Sequence, residues 1–145
     1  MEGLDPAEYQ PEALRAAIAA GEGAELDRVA TSIFTLLVED YRDGRTPISA
    51  RRAYLMEDSD TAQVATEAVM ERALASGDVR GSLSALLPSH PDYAALRAML
   101  SITPASDTAK RARIQANMDR WRWLPRDLGG IHLLANVPEY MLRLN

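Results

Sequence analysis

The spacing of apolar residues predicts that most of this chain folds as helices. In the clearest segment, apolar residues recur at intervals of three and four, so they form one continuous stripe along a helix. Its members are Leu26, Val29, Ala30, Ile33, Phe34, Leu37, Val38 and Tyr41. Gly44 follows and predicts the end of this helix, because glycine readily adopts the left-handed conformation found after helix ends.

Proline, glycine and N-cap residues mark the ends of the other predicted helices. We place them at Pro11 to Ala20, about Asp60 to Ser76, Val79 to Leu87, Pro91 to Leu100 and Thr108 to Trp123. Residues 45–59 have one proline and no clear period, so we predict a long loop there with room for one helical turn.

The hydrophobic pattern changes period near the C-terminus. After Gly129 and Gly130, apolar residues alternate with other residues through Val137, and the alternation resumes after Pro138. Proline is tolerated at a strand edge or bulge, so the pattern predicts one kinked strand or two short ones. The predicted fold is therefore mainly α: a single domain of five to six helices with a short C-terminal β-strand or hairpin.

Composition narrows the function classes. The chain has 145 residues, a net charge of −5 and no cysteine. Its length suits one domain, and the missing cysteine excludes a disulfide, a thiolate metal site and a cysteine nucleophile within this chain. No apolar run approaches the ~18 residues of a membrane span. The start, MEGLDPAEYQ, lacks the basic and apolar regions of a signal peptide.

Candidate catalytic chemistry is sparse. His90 and His132 are too few for a metal site without carboxylate partners. Acidic clusters at residues 39–40 and 57–60 raise the possibility of paired carboxylates, but a polar loop would keep the second cluster ionised. We interpret the second as a solvated loop that leads to a helix N-cap, and we predict no catalytic, cofactor-binding or metal-binding residue and no cofactor.

The last predicted helix is basic and carries both tryptophans. Between Lys110 and Arg126 the chain has six cations and one acidic residue, Asp119. Cations with aromatic rings can bind single-stranded nucleic acid. We favour a structural interpretation, in which cations near the helix C-terminus favour the macrodipole and Trp121 continues an apolar row. Trp123 would then pack as a wedge against a neighbouring element.

A longer pattern carries a family resemblance. The segment RIQANMDRWRWLPRDLGGIHLLANVPEYMLRLN, residues 113–145, resembles the junction segment of large L,D-transpeptidases of bacterial cell-wall synthesis, the YcbB-type members of the YkuD family. In that family such a segment ends the helical scaffold and begins the catalytic sheet. GLDPAEY (3–9), YRDGR (41–45) and HPDYAALRAML (90–100) are similar to scaffold segments.

The chain departs from the family in two places. Many relatives carry a peptidoglycan-binding three-helix module between the last two helices, where this chain has only residues 101–107. The family's catalytic histidine and cysteine, in an SHGC-like setting, lie downstream of the matching segment. The resemblance therefore implies a helical scaffold domain at residues 1–128 and the start of an absent catalytic β domain at 129–145.

The implied function belongs to the parent enzyme. A cysteine thiolate would attack a peptidoglycan stem to form an acyl-enzyme, and an amine of a second stem would resolve it. This chain would be the non-catalytic scaffold part, inactive alone, located in the periplasm or cell envelope. Expected partners are its own catalytic domain, peptidoglycan through the parent enzyme, and a second copy through the C-terminal strand, with no nucleic acid and no membrane span. The alternative is a stand-alone helical binding or regulatory module of the cell envelope.

Overall fold

The computed structural model of the protein describes residues 2–51, 64–126, 130–131, 133–136 and 140–144. Within these ranges it contains six α-helices and a two-stranded sheet near the C-terminus. The predicted fold class, mainly α with a short C-terminal hairpin, is confirmed. The acidic cluster at 57–60 and His132 lie outside the described residues.

The helices follow one another along the chain. They are α1 (Pro11–Ala20), α2 (Ala24–Arg42), α3 (Thr66–Ser76), α4 (Val79–Ser84), α5 (Pro91–Ile102) and α6 (Thr108–Arg122). Two 3₁₀ turns lie at Pro6–Tyr9 and Ile48–Ala50. The second is the single helical turn predicted for the loop after α2.

In α2, the longest helix, most positions of the predicted apolar stripe are buried or partly buried, which confirms the stripe. Val29, Ile33 and Val38 are buried, whereas Ala30 is exposed. The helix ends at Arg42, and Gly44 takes a φ of 78°, in the left-handed region that favours glycine. The stripe packs α2 against α1 on one side and against α3 and α4 on the other.

The predicted start of α3 was wrong. Val64 and Ala65 are not helical, and α3 begins at Thr66 after an extended Ala65 with a ψ of 139°. The Arg42 guanidinium donates to the carbonyl of Val64 at 2.7 Å and to the hydroxyl of Thr66 at 3.3 Å. A helix through Val64 would use that carbonyl for its own ladder, so this tertiary contact favours a later start.

Helix α4 is shorter than predicted. It begins after Asp78, whose carboxylate accepts from the Gly81 amide at 2.8 Å, and it ends at Ser84 instead of Leu87. The amides of Leu86 and Leu87 bond to carbonyls three residues earlier, which tightens the chain ahead of Pro88.

The core consists of three clusters along the helices. The first joins α1 and α2 through Tyr9, Ala17, Val29 and Ile33. The second joins α2, α3 and the α4 region through Val38, Val69, Leu83 and Leu86. The third joins α5 and α6 through Tyr93, Leu100, Ile114 and Met118. The last cluster supports the end of α6.

The C-terminal sheet is an antiparallel hairpin. Strand β1 (Leu133–Asn136) pairs with β2 (Met141–Leu144), with Leu133 opposite Leu144. Of the alternatives of one kinked strand or two short ones, the structure has two short ones. The predicted domain boundary at residue 128 lies outside the described residues.

Candidate functional site

The carboxylate of Asp119, near the end of α6, accepts hydrogen bonds from the loop after α2 and from Trp123. Asp119 accepts from the backbone amide of Arg45 at 2.7 Å and from the hydroxyl of Thr46 at 2.7 Å. It also accepts from the indole Nε1 of Trp123 at 3.2 Å. The loop after α2 is therefore tied to the last turn of α6.

Gly44 makes this approach possible. A Cβ at Gly44 would lie 2.7 Å from Asp119 Oδ1 and 3.2 Å from the Asp119 carbonyl oxygen, so a side chain does not fit without displacement. This glycine thus has two roles. It ends α2, and because it has no side chain, the Asp119 carboxylate of α6 can approach the backbone of the loop after α2.

Trp123 is the better buried of the two tryptophans. Its side chain is only 8% exposed, and the Arg51 guanidinium carbon lies 4.9 Å from its ring centroid. A cation above an indole face is attracted by the ring quadrupole. The structure therefore supports the interpretation of Trp123 as a wedge, and the element it meets is the loop after α2.

Trp121 faces the other way and stacks on a histidine. Its ring lies 4.4 Å from the ring of His90, with an interplanar angle of 19°. His90 is the N-cap of α5, and its Nδ1 accepts from the Asp92 amide at 3.2 Å. Trp121 is partly buried against the third core cluster, in which Ile114 and Met118 are buried. The predicted apolar row of α6 is confirmed, with Trp121 at its partly exposed end.

Arg122 is buried and fastens the N-terminal segment. Its side chain is 1% exposed, and Nη2 donates to the Tyr93 hydroxyl at 2.9 Å and to the carbonyl of Glu2. The Glu2 carboxylate accepts from the Tyr93 hydroxyl at 3.2 Å and lies 3.4 Å from Arg97 Nη1. These contacts join residue 2 to α5 and α6.

Burial governs the acidity of the tyrosine in this network. Tyr93 is 2% exposed, and burial raises its pKa from 10.0 to about 12. The Arg122 cation opposes this rise and the Glu2 carboxylate adds to it. The phenol therefore stays protonated and can donate to Glu2 while it accepts from Arg122.

Other arginines of the basic segment also bind backbone carbonyls. Arg126 donates to the carbonyl of Leu86 at 2.8 Å and to those of Tyr41 and Arg42, so it ties the residues after α6 to α2 and to the turn after α4. Arg111 donates to the carbonyl of Thr103 at 2.7 Å. These contacts give Arg111 and Arg126 structural roles within the domain.

The hairpin presents apolar side chains to solvent. By its register, Leu133, Leu142 and Leu144 lie on one face, and they are 64%, 69% and 74% exposed. A two-stranded hairpin of this size is marginally stable by itself. The site therefore combines a hydrogen-bonded end of α6 with an exposed apolar face on the hairpin.

A second apolar surface lies between α1, α2, α3 and α4. It is a groove of about 330 Å³, with Leu14, Phe34, Met70 and Leu74 among its lining side chains. Leu74 and Val79 at this groove are 77% and 50% exposed.

Two further observations concern metal binding and membrane crossing. No group of three or more His, Cys, Asp or Glu side chains that could hold a metal ion occurs among the described residues. Across the same parts of the chain, no helix combines the length and apolar character needed to cross a bilayer. His90 serves as a helix cap and stacking partner.

Comparison with known proteins gives one match. A family model described as "Scaffold domain" matches residues 1–100. The chain belongs to the Scaffold domain family. No curated protein and no solved structure matches the chain. The match spans α1 to α4 and most of α5, so the anchor on α6 and the hairpin lie beyond it.

Sequence reasoning missed the partners of the Arg122 network. It singled out Arg122 as part of the basic run but assigned no role to Glu2, Tyr93 or Arg97. Hydrophobic periodicity signals Tyr93 as a core residue, but nothing local connects it to a residue more than 90 positions away. Gly44 was predicted as a helix end, and its second role follows only from the position of Asp119.

Proposed function

We propose that this scaffold domain is the non-catalytic support of an L,D-transpeptidase that cross-links peptidoglycan through a cysteine acyl-enzyme. The observation that carries the proposal is the anchored end of α6 followed by the apolar hairpin. Asp119, Arg122 and Arg126 fix the helix end to the rest of the domain. The hairpin that follows presents Leu133, Leu142 and Leu144 as a surface for a further β domain.

The resemblance of residues 113–145 supports the same assignment. In the large L,D-transpeptidases a similar Arg-Trp-Arg-Trp-Leu-Pro segment leads from the scaffold into the catalytic sheet. The family match over residues 1–100 supports it independently, because it covers a different part of the chain. The role of this domain would be to hold the catalytic domain in position, and the periplasm or cell envelope would be its location.

The coding sequence that follows the Asn145 codon provides the first test. We expect it to encode a β-rich domain with a histidine and a cysteine in an SHGC-like setting. A stop codon at that point in the native gene would contradict the proposal and favour a stand-alone module.

Cross-linking by the full-length protein provides the second test. Leu142→Asn should lower the cross-linking rate, because it puts an amide into the proposed interface between hairpin and catalytic domain. Ile102→Asn is the matched control, since Ile102 is 81% exposed at the end of α5 and is not part of the hairpin. Equal rates for both variants and the parent protein would remove the hairpin from the proposed interface.

A second candidate function is a stand-alone binding or regulatory module of the cell envelope. The apolar groove between α1, α2, α3 and α4 favours it, because exposed apolar surface of this kind marks interaction sites. The same coding sequence separates the two candidates.

A further inference from the structure

The apolar groove between α1, α2, α3 and α4 has a buried floor and exposed edges. Ile33, Ala73 and Leu83 line it and are buried, and Ile33 and Leu83 also belong to the first and second core clusters. Leu74 and Val79 line it as well, but they are exposed. Because the floor is part of the core, the groove is preformed, and an apolar partner would remove the exposed side chains from water.

The lining of the groove offers few polar groups to a ligand. Thr31 is the one polar side chain among the lining residues that the structure describes. A small polar molecule would lose its hydrogen bonds with water in the groove and gain few in return. The lining therefore suits apolar side chains, which have no polar group to pair.

Three carboxylates share helix faces with the groove. Asp27 lies one turn before Ala30, a lining residue of α2. On α3, Glu67 and Glu71 lie two turns and one turn before Leu74. All three acidic side chains are exposed, and none forms an ion pair with a residue that the structure describes.

The cations of these helices do not cancel the three negative charges. Arg15 of α1 is paired with Glu12 on the same helix. Arg72 lies two residues from lining positions on either side, which places it on another face of α3. Arg80 follows Val79 on α4, so the described edges of the groove carry three carboxylates and one cation, an excess of negative charge.

This excess of negative charge determines which partners the groove attracts. Bilayers with anionic headgroups and nucleic acids would be repelled by the carboxylates. Lysine and arginine side chains of a protein partner would be attracted, because opposite charges across an interface favour association. The occupant with matching chemistry is therefore apolar where it meets the groove and cationic at its sides.

The walls of the groove favour a helical occupant over an extended one. Each wall is an α-helix that pairs its own backbone groups, so no strand edge is present there to pair an extended peptide. A helix pairs its backbone internally and presents apolar residues at intervals of three and four. Helix α6 of a second copy does not fit this description, because its apolar row is buried in the third core cluster.

We propose that the apolar groove binds a cationic amphipathic helix of a partner protein. The apolar face of that helix contacts Phe34, Leu74 and their neighbours in the lining, and its lysine or arginine side chains lie near the three carboxylates. The groove contains no residue of α5, α6 or the hairpin, so the inference does not rest on the transpeptidase assignment.

A titration of the full chain with a model peptide tests the proposal. The probe is a helical peptide of about 18 residues with leucines at intervals of three and four and lysines elsewhere. The methyl resonance of Met70, which lines the groove, should shift and saturate, whereas that of Met99 on α5 should stay in place. A peptide with glutamate in place of every lysine should bind at least about tenfold more weakly.

Two variants with matched controls locate the binding surface. Leu74→Gln should weaken binding of the lysine peptide about tenfold, because it removes apolar surface at an exposed position that tolerates glutamine. Ile102→Gln, a comparable change on α5, should not alter the affinity. Glu71→Lys should weaken binding about fivefold, and Asp92→Lys on α5 should leave it unchanged.

Three results would overturn the proposal. One is a Met70 resonance that does not move with the lysine peptide. Another is equal affinity for the glutamate peptide, which would show that the carboxylates do not select the partner. The third is self-association of the chain that Leu74→Gln abolishes, which would assign the groove to a second copy.

Discussion

The indole Nε1 of Trp123 donates a hydrogen bond to the carboxylate of Asp119, 3.2 Å away and one turn earlier in the chain. The same carboxylate accepts from the backbone of Arg45 and Thr46 in the loop after α2. One acidic residue in a basic segment therefore connects the end of α6 to the end of α2.

Replacing Asp119 by asparagine should destabilise the domain. The amide group places a donor where the carboxylate accepts from several donors, and the charge of the acceptor is lost. We expect the free energy of unfolding to fall by about 2–3 kcal/mol, measured by urea denaturation. Glu71→Gln is the control, because it makes the same chemical change at an exposed position on α3. Equal stability of the two variants would show that the Asp119 contacts are not significant.

The two tryptophans should differ in their effect on stability. Trp123 is 8% exposed and lies under Arg51, so Trp123→Ala should cost about 3–5 kcal/mol. Trp121 is only partly buried and keeps its stack on His90, so Trp121→Ala should cost less than Trp123→Ala. Thermal or urea unfolding of both variants measures the difference. A larger loss for Trp121→Ala would contradict the packing described above.

Tyr93 should make stability depend on pH in the alkaline range. In the unfolded chain its phenol loses a proton near the ordinary pKa of 10.0, whereas in the folded chain burial raises the pKa to about 12. The folded state thus binds more protons between these values, and its stability should fall as the pH rises through them. Melting temperatures across this range should fall less steeply for Tyr93→Phe than for the parent protein.

Two other tyrosines bear on the design of that experiment. Burial and the bond to Asp40 also raise the pKa of Tyr9, so Tyr93→Phe should remove only part of the alkaline fall. Tyr140→Phe is the matched control, since the Tyr140 side chain is 96% exposed. An unchanged slope in Tyr93→Phe would show that Tyr93 is not the source.

Removing the Arg126 side chain should loosen the connection between the helical domain and the hairpin. Arg126 donates to backbone carbonyls at the end of α2 and in the turn after α4, and alanine would leave these acceptors without that donor. We expect a loss of about 2 kcal/mol or more in stability and faster amide exchange after residue 122. Arg113→Ala, at an exposed position of α6, should change neither.

Local signals were sufficient for most of the helical fold. The bounds of α1 and the end of α2 follow from Pro11, Gly21 and Gly44, because proline and glycine act through the conformation of their own backbone. The start of α3 was not predictable in the same way. It depends on Arg42, which binds the Val64 carbonyl from a different helix.

The candidate site was predicted less completely. The apolar row of Ile114 and Met118 identifies the buried side of α6, and the Arg-Trp-Arg-Trp order identifies its end. The charge of an arginine does not show whether it binds backbone carbonyls or stays in solvent, because arginine suits both environments. Arg122 is buried because it binds Glu2 and Tyr93, which lie at distant positions in the sequence.

The sequence by itself determined that this is a helical domain with a short β element at its C-terminus, because periodicity, proline and glycine act over a few residues. Only the tertiary structure decided that Asp119 holds the loop after α2, that Arg122 fastens the N-terminal segment, and that an apolar groove lies between α1, α2, α3 and α4. These arrangements depend on groups brought together from far apart in the chain. The arrangements are set by hydrogen bonds and burial, which form only when both partners are in place.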